Sequence, residues 1–178
     1  MGSSRNPLKN LKIKNSNVNF EGHNDDVNVY NCAVKLENCK DSLIENNTFI
    51  SALPLKDIIF GADGAELASD LVLTVGIGGC NNTTLIGNRL FSEVNKRPEN
   101  LYPSLDCMLI SKSDNSLICN NSIFMTDFLT YPGIDNYLYG LDIYNLHNIT
   151  VCHNDISIIT TGGKLALGTA YPIQITGP

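Results

Sequence analysis

Apolar residues alternate with polar ones in short runs, and the same arrangement returns four times. Val34-x-Leu36-x2-Cys39 leads into Ser42-x-Ile44-x2-Asn47-x-Phe49, and Val75-x-Ile77-x2-Cys80 into Thr83-x-Leu85-x2-Asn88-x-Leu90. Met108-x-Ile110-x2-Ser113 then leads into Ser116-x-Ile118-x2-Asn121-x-Ile123, and Leu141-x-Ile143-x2-Leu146 into Ile149-x-Val151-x2-Asn154-x-Ile156. A half-copy (Leu8, Leu11, Ile13, Ser16, Val18) precedes them, and Ile173-x-Ile175 begins another. Period two predicts strands with one buried face. The Asn, Asp, Gly and Ser between them suit sharp corners and left-handed backbone angles.

Each copy therefore reads as three short strands, too small to bury its own apolar face, so the copies must stack. The anchor asparagines Asn47, Asn88, Asn121 and Asn154 lie 41, 33 and 33 residues apart, and Ser16 lies 31 before the first. Stacked in parallel, identical residues form columns, and an inward Asn at a corner bonds backbone groups and the Asn of the next copy. The predicted fold is all-β: a right-handed parallel β-helix, or solenoid, of about five coils. A leucine-rich horseshoe fits less well, because its repeat is about 20–29 residues and its inter-repeat segments carry helical or 3-10 character.

Between the third strand of one copy and the first of the next lie longer segments: 51–74, 92–107, 124–140 and 157–172. All leave the ladder at the same place, so they are expected to project as long loops on one side. A helix-like stretch at 62–69 accounts for the 41-residue spacing. The segments hold Tyr102, Tyr131, Tyr137, Tyr139 and Tyr171, three of them in Tyr-Pro pairs. Rings carrying hydroxyls make a candidate glycan-binding face. The competing reading, that Tyr-Pro packs each loop against its neighbour, is the more economical one.

Chemistry-bearing residues are mostly absorbed by the repeat. Cys39 and Cys80 share a slot with Ser113 and Leu146, a small buried position. Cys119 and Cys152 share an outward slot with Glu45 and Ile86. Free thiols are expected throughout; if one disulfide forms, Cys119–Cys152 is the pair. His23, His147 and His153 read as exposed turn residues, and the sequons at Asn46, Asn81, Asn82, Asn120 and Asn148 follow from Asn-rich turns beside Ser or Thr. No metal- or cofactor-binding set is recognised. Asp106 and Asp142 fall near the first strands of later copies and join the tyrosines as candidate ligand-binding residues, Asp106 sharing a slot with Tyr139; Asp135 is expected close by. Asp57, Asp63 and Asp70 read as solvated loop charges. The outward slot Lys35, Gly76, Leu109, Asp142 is no carboxylate ladder, so no catalytic constellation is assigned.

The net charge of -6, with three arginines and nine scattered lysines, argues against nucleic acid as a partner. No apolar run approaches the ~20 residues that span a bilayer. Residues 1–5 read as an expression leader and 6–178 as a single β-helix domain, a slice of a longer repeat protein. Its uncapped ends are expected to promote end-to-end self-association.

The segments Asn136-Tyr137-Leu138-Tyr139-Gly140-Leu141-Asp142-Ile143-Tyr144, Asn46-Asn47-Thr48-Phe49-Ile50 and the stretch from Thr160 to Pro178, with its Tyr171-Pro172 pair, resemble the adhesin-like surface proteins of methanogenic archaea. The resemblance runs from about residue 30 onward. It implies a secreted, non-catalytic cell-surface protein that attaches to glycans or to surface proteins of other cells. No catalytic residues are defined for that family, so none is carried over. The rival expectations are a carbohydrate-active β-helix enzyme (lyase, hydrolase or epimerase) and a purely structural stalk or spacer.

Overall fold

The computed structural model describes residues 6–21, 32–54, 70–95, 104–129, 136–144, 146–162 and 168–177. The opening half-copy forms β1 (Leu8–Lys9), β2 (Lys12–Lys14) and β3 (Asn17–Glu21). The next copy forms β4 (Val34–Glu37), β5 (Cys39–Lys40), β6 (Leu43–Glu45) and β7 (Thr48–Pro54). Then follow β8 (Asp70–Gly78), β9 (Thr84–Ile86) and β10 (Arg89–Asn95), and β11 (Ser104–Ser111), β12 (Leu117–Cys119) and β13 (Ser122–Leu129). The last described residues form β14 (Asn136–Tyr144), β15 (Thr150–Cys152), β16 (Asp155–Gly162) and β17 (Gly168–Thr176).

These strands stack as a β-solenoid with no helix among the described residues. Three five-stranded sheets, all paired in parallel, run in the orders β17-β14-β11-β8-β4, β15-β12-β9-β6-β2 and β16-β13-β10-β7-β3. The register follows the repeat: Val34 pairs with Val75, Val75 with Met108 and Met108 with Leu141. Inward aliphatic columns result, and Ile44, Phe49, Val75, Leu85, Ile110, Ile118 and Ile143 are buried in one continuous core. Each such side chain contributes about 1.5–3 kcal/mol on removal from water. Ile173 and Ile175 continue two of these columns on β17 and stay 44% and 60% exposed.

The corners explain the turn residues. Asn10, Asp41, Asn82, Asn115 and Asn148 occupy one column of left-handed positions, with φ between 52° and 58°. Asn15, Asn46, Gly87, Asn120 and His153 form a second, and Asn38, Gly79 and Lys112 a third. Asn and Gly tolerate this conformation at low cost. It aims each corner N–H at the next copy's carbonyl, as in Asn82 to Asp114 at 3.0 Å.

Two expectations are corrected here. The long segments begin later than predicted, because β7, β10, β13 and β16 continue past the repeat and β8, β11, β14 and β17 start early. Extended pairing gives their backbone groups partners that a loop would have to find in water. Asp70 therefore opens β8 opposite Ser104, and Tyr171-Pro172 lies in β17 rather than in a loop. The predicted helix at 62–69, like Asp57, Asp63, Asp135 and His23, lies outside the described residues.

Candidate functional site on the outer face of one sheet

The sheet β17-β14-β11-β8-β4 carries most of the candidate side chains. Inward Val34 and Leu36 force Lys35 and Glu37 outward, and the register carries that alternation up the stack. One outer column reads Lys35, Gly76, Leu109, Asp142, Gln174, and the next reads Glu37, Gly78, Ser111, Tyr144, Thr176. The Lys35 ammonium and Glu37 carboxylate form an ion pair at 2.7 Å.

Gly76 and Gly78 place no side chain on this face, so the sheet is indented there. The result is a cleft of ≈ 90 Å³ floored by the two glycines, with Lys35 and Glu37 on one wall and Leu109, Ser111 and Tyr144 on the other. Cys32 closes one end. Burial is the main force pushing the Cys32 thiol above its ordinary pKa; nearby Lys35 and a hydrogen bond with the Gly76 backbone oppose it.

Further along the same strands, Asp106 pairs in register with Tyr139 and Tyr139 with Tyr171. The Tyr139 and Tyr171 rings stack with centroids 5.3 Å apart and planes inclined by 16°. Asp106 and Asp142 are both buried. Four residues singled out in the sequence are thus gathered on one sheet. Tyr102 and Tyr131 lie outside the described residues, and Tyr137 pairs with Thr169 on β14 and β17. Sequence reasoning placed Lys35, Gly76 and Leu109 in one outward slot but did not recognise a cleft there. Its one signal was Gly76-x-Gly78 at outward slots of a strand, where missing side chains mark a close approach to the backbone.

The other five cysteines divide into three environments. In the first, side chains ladder with the backbone: Cys80 Sγ accepts from the Cys39 N–H at 3.3 Å, and Ser113 Oγ from the Cys80 N–H at 3.0 Å. Each also donates to the carbonyl two residues before it. Leu8 and Leu146 occupy the same slot and carry no such group. Burial dominates at Cys80 and pushes its thiol up to about 11. In the second environment, Ser92 Oγ donates to Cys107 Sγ at 3.0 Å and also bonds Thr74 Oγ1, all within the core. Burial again pushes the Cys107 thiol up to about 11.

The third environment overturns the expectation of free thiols. Cys119 and Cys152 are disulfide-bonded, with Cα atoms 4.7 Å apart. They pair directly between β12 and β15, so both side chains leave the same face side by side, within the Cα separation a disulfide accepts. Cys32, Cys39, Cys80 and Cys107 are free. Among the described residues no cluster of three or more His, Cys, Asp or Glu is arranged to hold a metal ion, and no helix is long and apolar enough to cross a membrane.

No protein-family model, curated protein or solved structure matches the chain.

Proposed function

We propose that the chain is a non-catalytic, adhesin-like β-helix segment that attaches its cell to glycans or surface proteins of other cells. The observation that carries this reading is the Tyr139–Tyr171 stack on the same outer face as the polar cleft. Paired rings with hydroxyl handles give apolar contact area and hydrogen bonding together, which suits a sugar surface. The finer architecture belongs to this reading: right-handed winding of about five coils, with the long segments projecting on one side. An extracellular, cell-surface location is supported by the Cys119–Cys152 disulfide, since such bonds persist in oxidising compartments. Ile173 and Ile175 offer an apolar face for end-to-end association of copies, which sedimentation at rising concentration tests.

Binding to an immobilised glycan panel tests the main reading. Tyr171→Ala is expected to weaken capture at least tenfold with the thermal transition unchanged. Full capture by that variant overturns the role of the stack, and no capture by the wild type leaves a structural spacer. A second reading, a carbohydrate-active enzyme, is favoured by one observation: Asp106 and Asp142 are both buried on this same sheet. Glycosidases flank the scissile bond with two carboxyl groups, and burial favours the protonated form that the general acid needs. Release of reducing ends or unsaturated products from polysaccharides would establish it and displace the adhesin reading.

A further inference from the structure

We infer that the cleft between Lys35–Glu37 and Tyr144 is a subsite for one neutral monosaccharide unit, gripped through adjacent hydroxyls. This rests on the glycan-binding reading and adds to it a place and a ligand class.

Size comes first. At the ~30 Å³ each water takes in the liquid, a cleft of ≈ 90 Å³ has room for about three waters, enough to seat one face of a single sugar ring but not a chain. Removing two outward side chains from one strand leaves a trough two inter-strand spacings wide, roughly 9–10 Å between the flanking rows. Its glycine floor exposes flat backbone to a ring lying on it.

Charge comes second. An ammonium and a carboxylate held 2.7 Å apart present a donor and an acceptor side by side with no net charge. Two adjacent hydroxyls, each able to donate and accept, match that pair. An anionic sugar would need a cation, but the Lys35 charge is compensated by Glu37 and the whole chain carries -6. The Ser111 hydroxyl and the Tyr144 ring on the opposite wall add a further polar group and an apolar face. Tyr144 also ends the strand that carries Tyr139, five residues earlier. An oligosaccharide laid along β14 would therefore run from the stacked rings to the cleft.

The glycines supply a clean test. A Cβ on Gly78 would lie 3.7 Å from Ser111 Oγ, an ordinary contact, and its φ is one that any residue adopts. Gly78→Val therefore fills the cleft while suiting a strand. The intact chain would be titrated with methyl glucoside, methyl mannoside and methyl galactoside, with glucuronate as the charged comparator, by calorimetry and ligand-observed NMR. At least one neutral glycoside is expected to bind with Kd on the order of 1 mM. Gly78→Val should weaken it at least tenfold with Tm unchanged, and Glu37→Gln should weaken it too. Failure of all three neutral glycosides, equal binding by Gly78→Val, or tighter binding of glucuronate overturns the inference. Oligosaccharide capture that depends on Tyr171 but not on Gly78 would overturn the cleft alone and leave the glycan reading standing. Absence of both mono- and oligosaccharide binding would overturn both.

Discussion

Asn121 holds Asn88 twice. Its Oδ1 accepts from the Asn88 backbone N–H and from the Asn88 Nδ2, each at 3.0 Å. Its own Nδ2 donates to the Leu85 carbonyl at 3.1 Å and to Asn154 Oδ1 at 3.0 Å. Asn47 and Asn88 repeat the arrangement one copy earlier, and Ser16 joins it through its N–H to Asn47 Oδ1 at 2.9 Å. Asn121→Ala should therefore strand a buried N–H and a buried carbonyl, at a cost of about 4 kcal/mol. Asn154→Ala, at a half-buried rung, should cost about half that. Urea unfolding of the two variants checks the order.

The disulfide closes a 33-residue separation between stacked strands. Loop-closure entropy assigns such a link about 3–4 kcal/mol. Reduction, or Cys119→Ser with Cys152→Ser, should lower the denaturation midpoint accordingly. Thiol titration in denaturant should find four groups without reductant and six with it, matching the four free cysteines of the native chain. Six without reductant would refute the pairing.

Alkaline pH should expose the buried thiol of Cys107. Folding raises its pKa from 9.0 to about 11, so the native state favours the neutral thiol. The stability this contributes is complete below pH 9, falls as pH rises, and is gone above about 11. A two-unit shift at a fully enclosed group corresponds to roughly 3 kcal/mol. Unfolding free energies measured across this window should decline less steeply in Cys107→Ala.

Gly140 sits where no side chain fits. A Cβ there would come within 2.4 Å of Ile156 Cγ2 and 2.8 Å of the Pro172 carbonyl oxygen. Because one of these is backbone, Gly140→Ala should force β14 and β17 apart and cost about 2–3 kcal/mol. Gly177→Ala, with nothing within 4 Å, is the neutral control in the same melting experiment.

Much of the fold was legible because a stacked repeat writes its register into the spacing. The pairing of Asp106 with Tyr139, the column Lys35-Gly76-Leu109-Asp142 and the buried slot of Cys39 and Cys80 all follow from aligning copies. The stems of the long segments did not, because Ser51, Thr74, Ser92 and Cys107 carry no repeated phrase yet are buried. Their burial comes from β7, β8, β10 and β11 extending together, a gain no single segment displays.

The sequence alone determined the period, the inward aliphatic columns, the asparagine ladder and the left-handed corners, since each is a local preference repeated at fixed intervals. Tertiary structure decided the rest. It bonded Cys119 to Cys152, stacked Tyr139 on Tyr171 and opened a cleft over Gly76 and Gly78. Those outcomes depend on how far apart neighbouring strands lie and where outward side chains point, which alternation along one strand cannot specify.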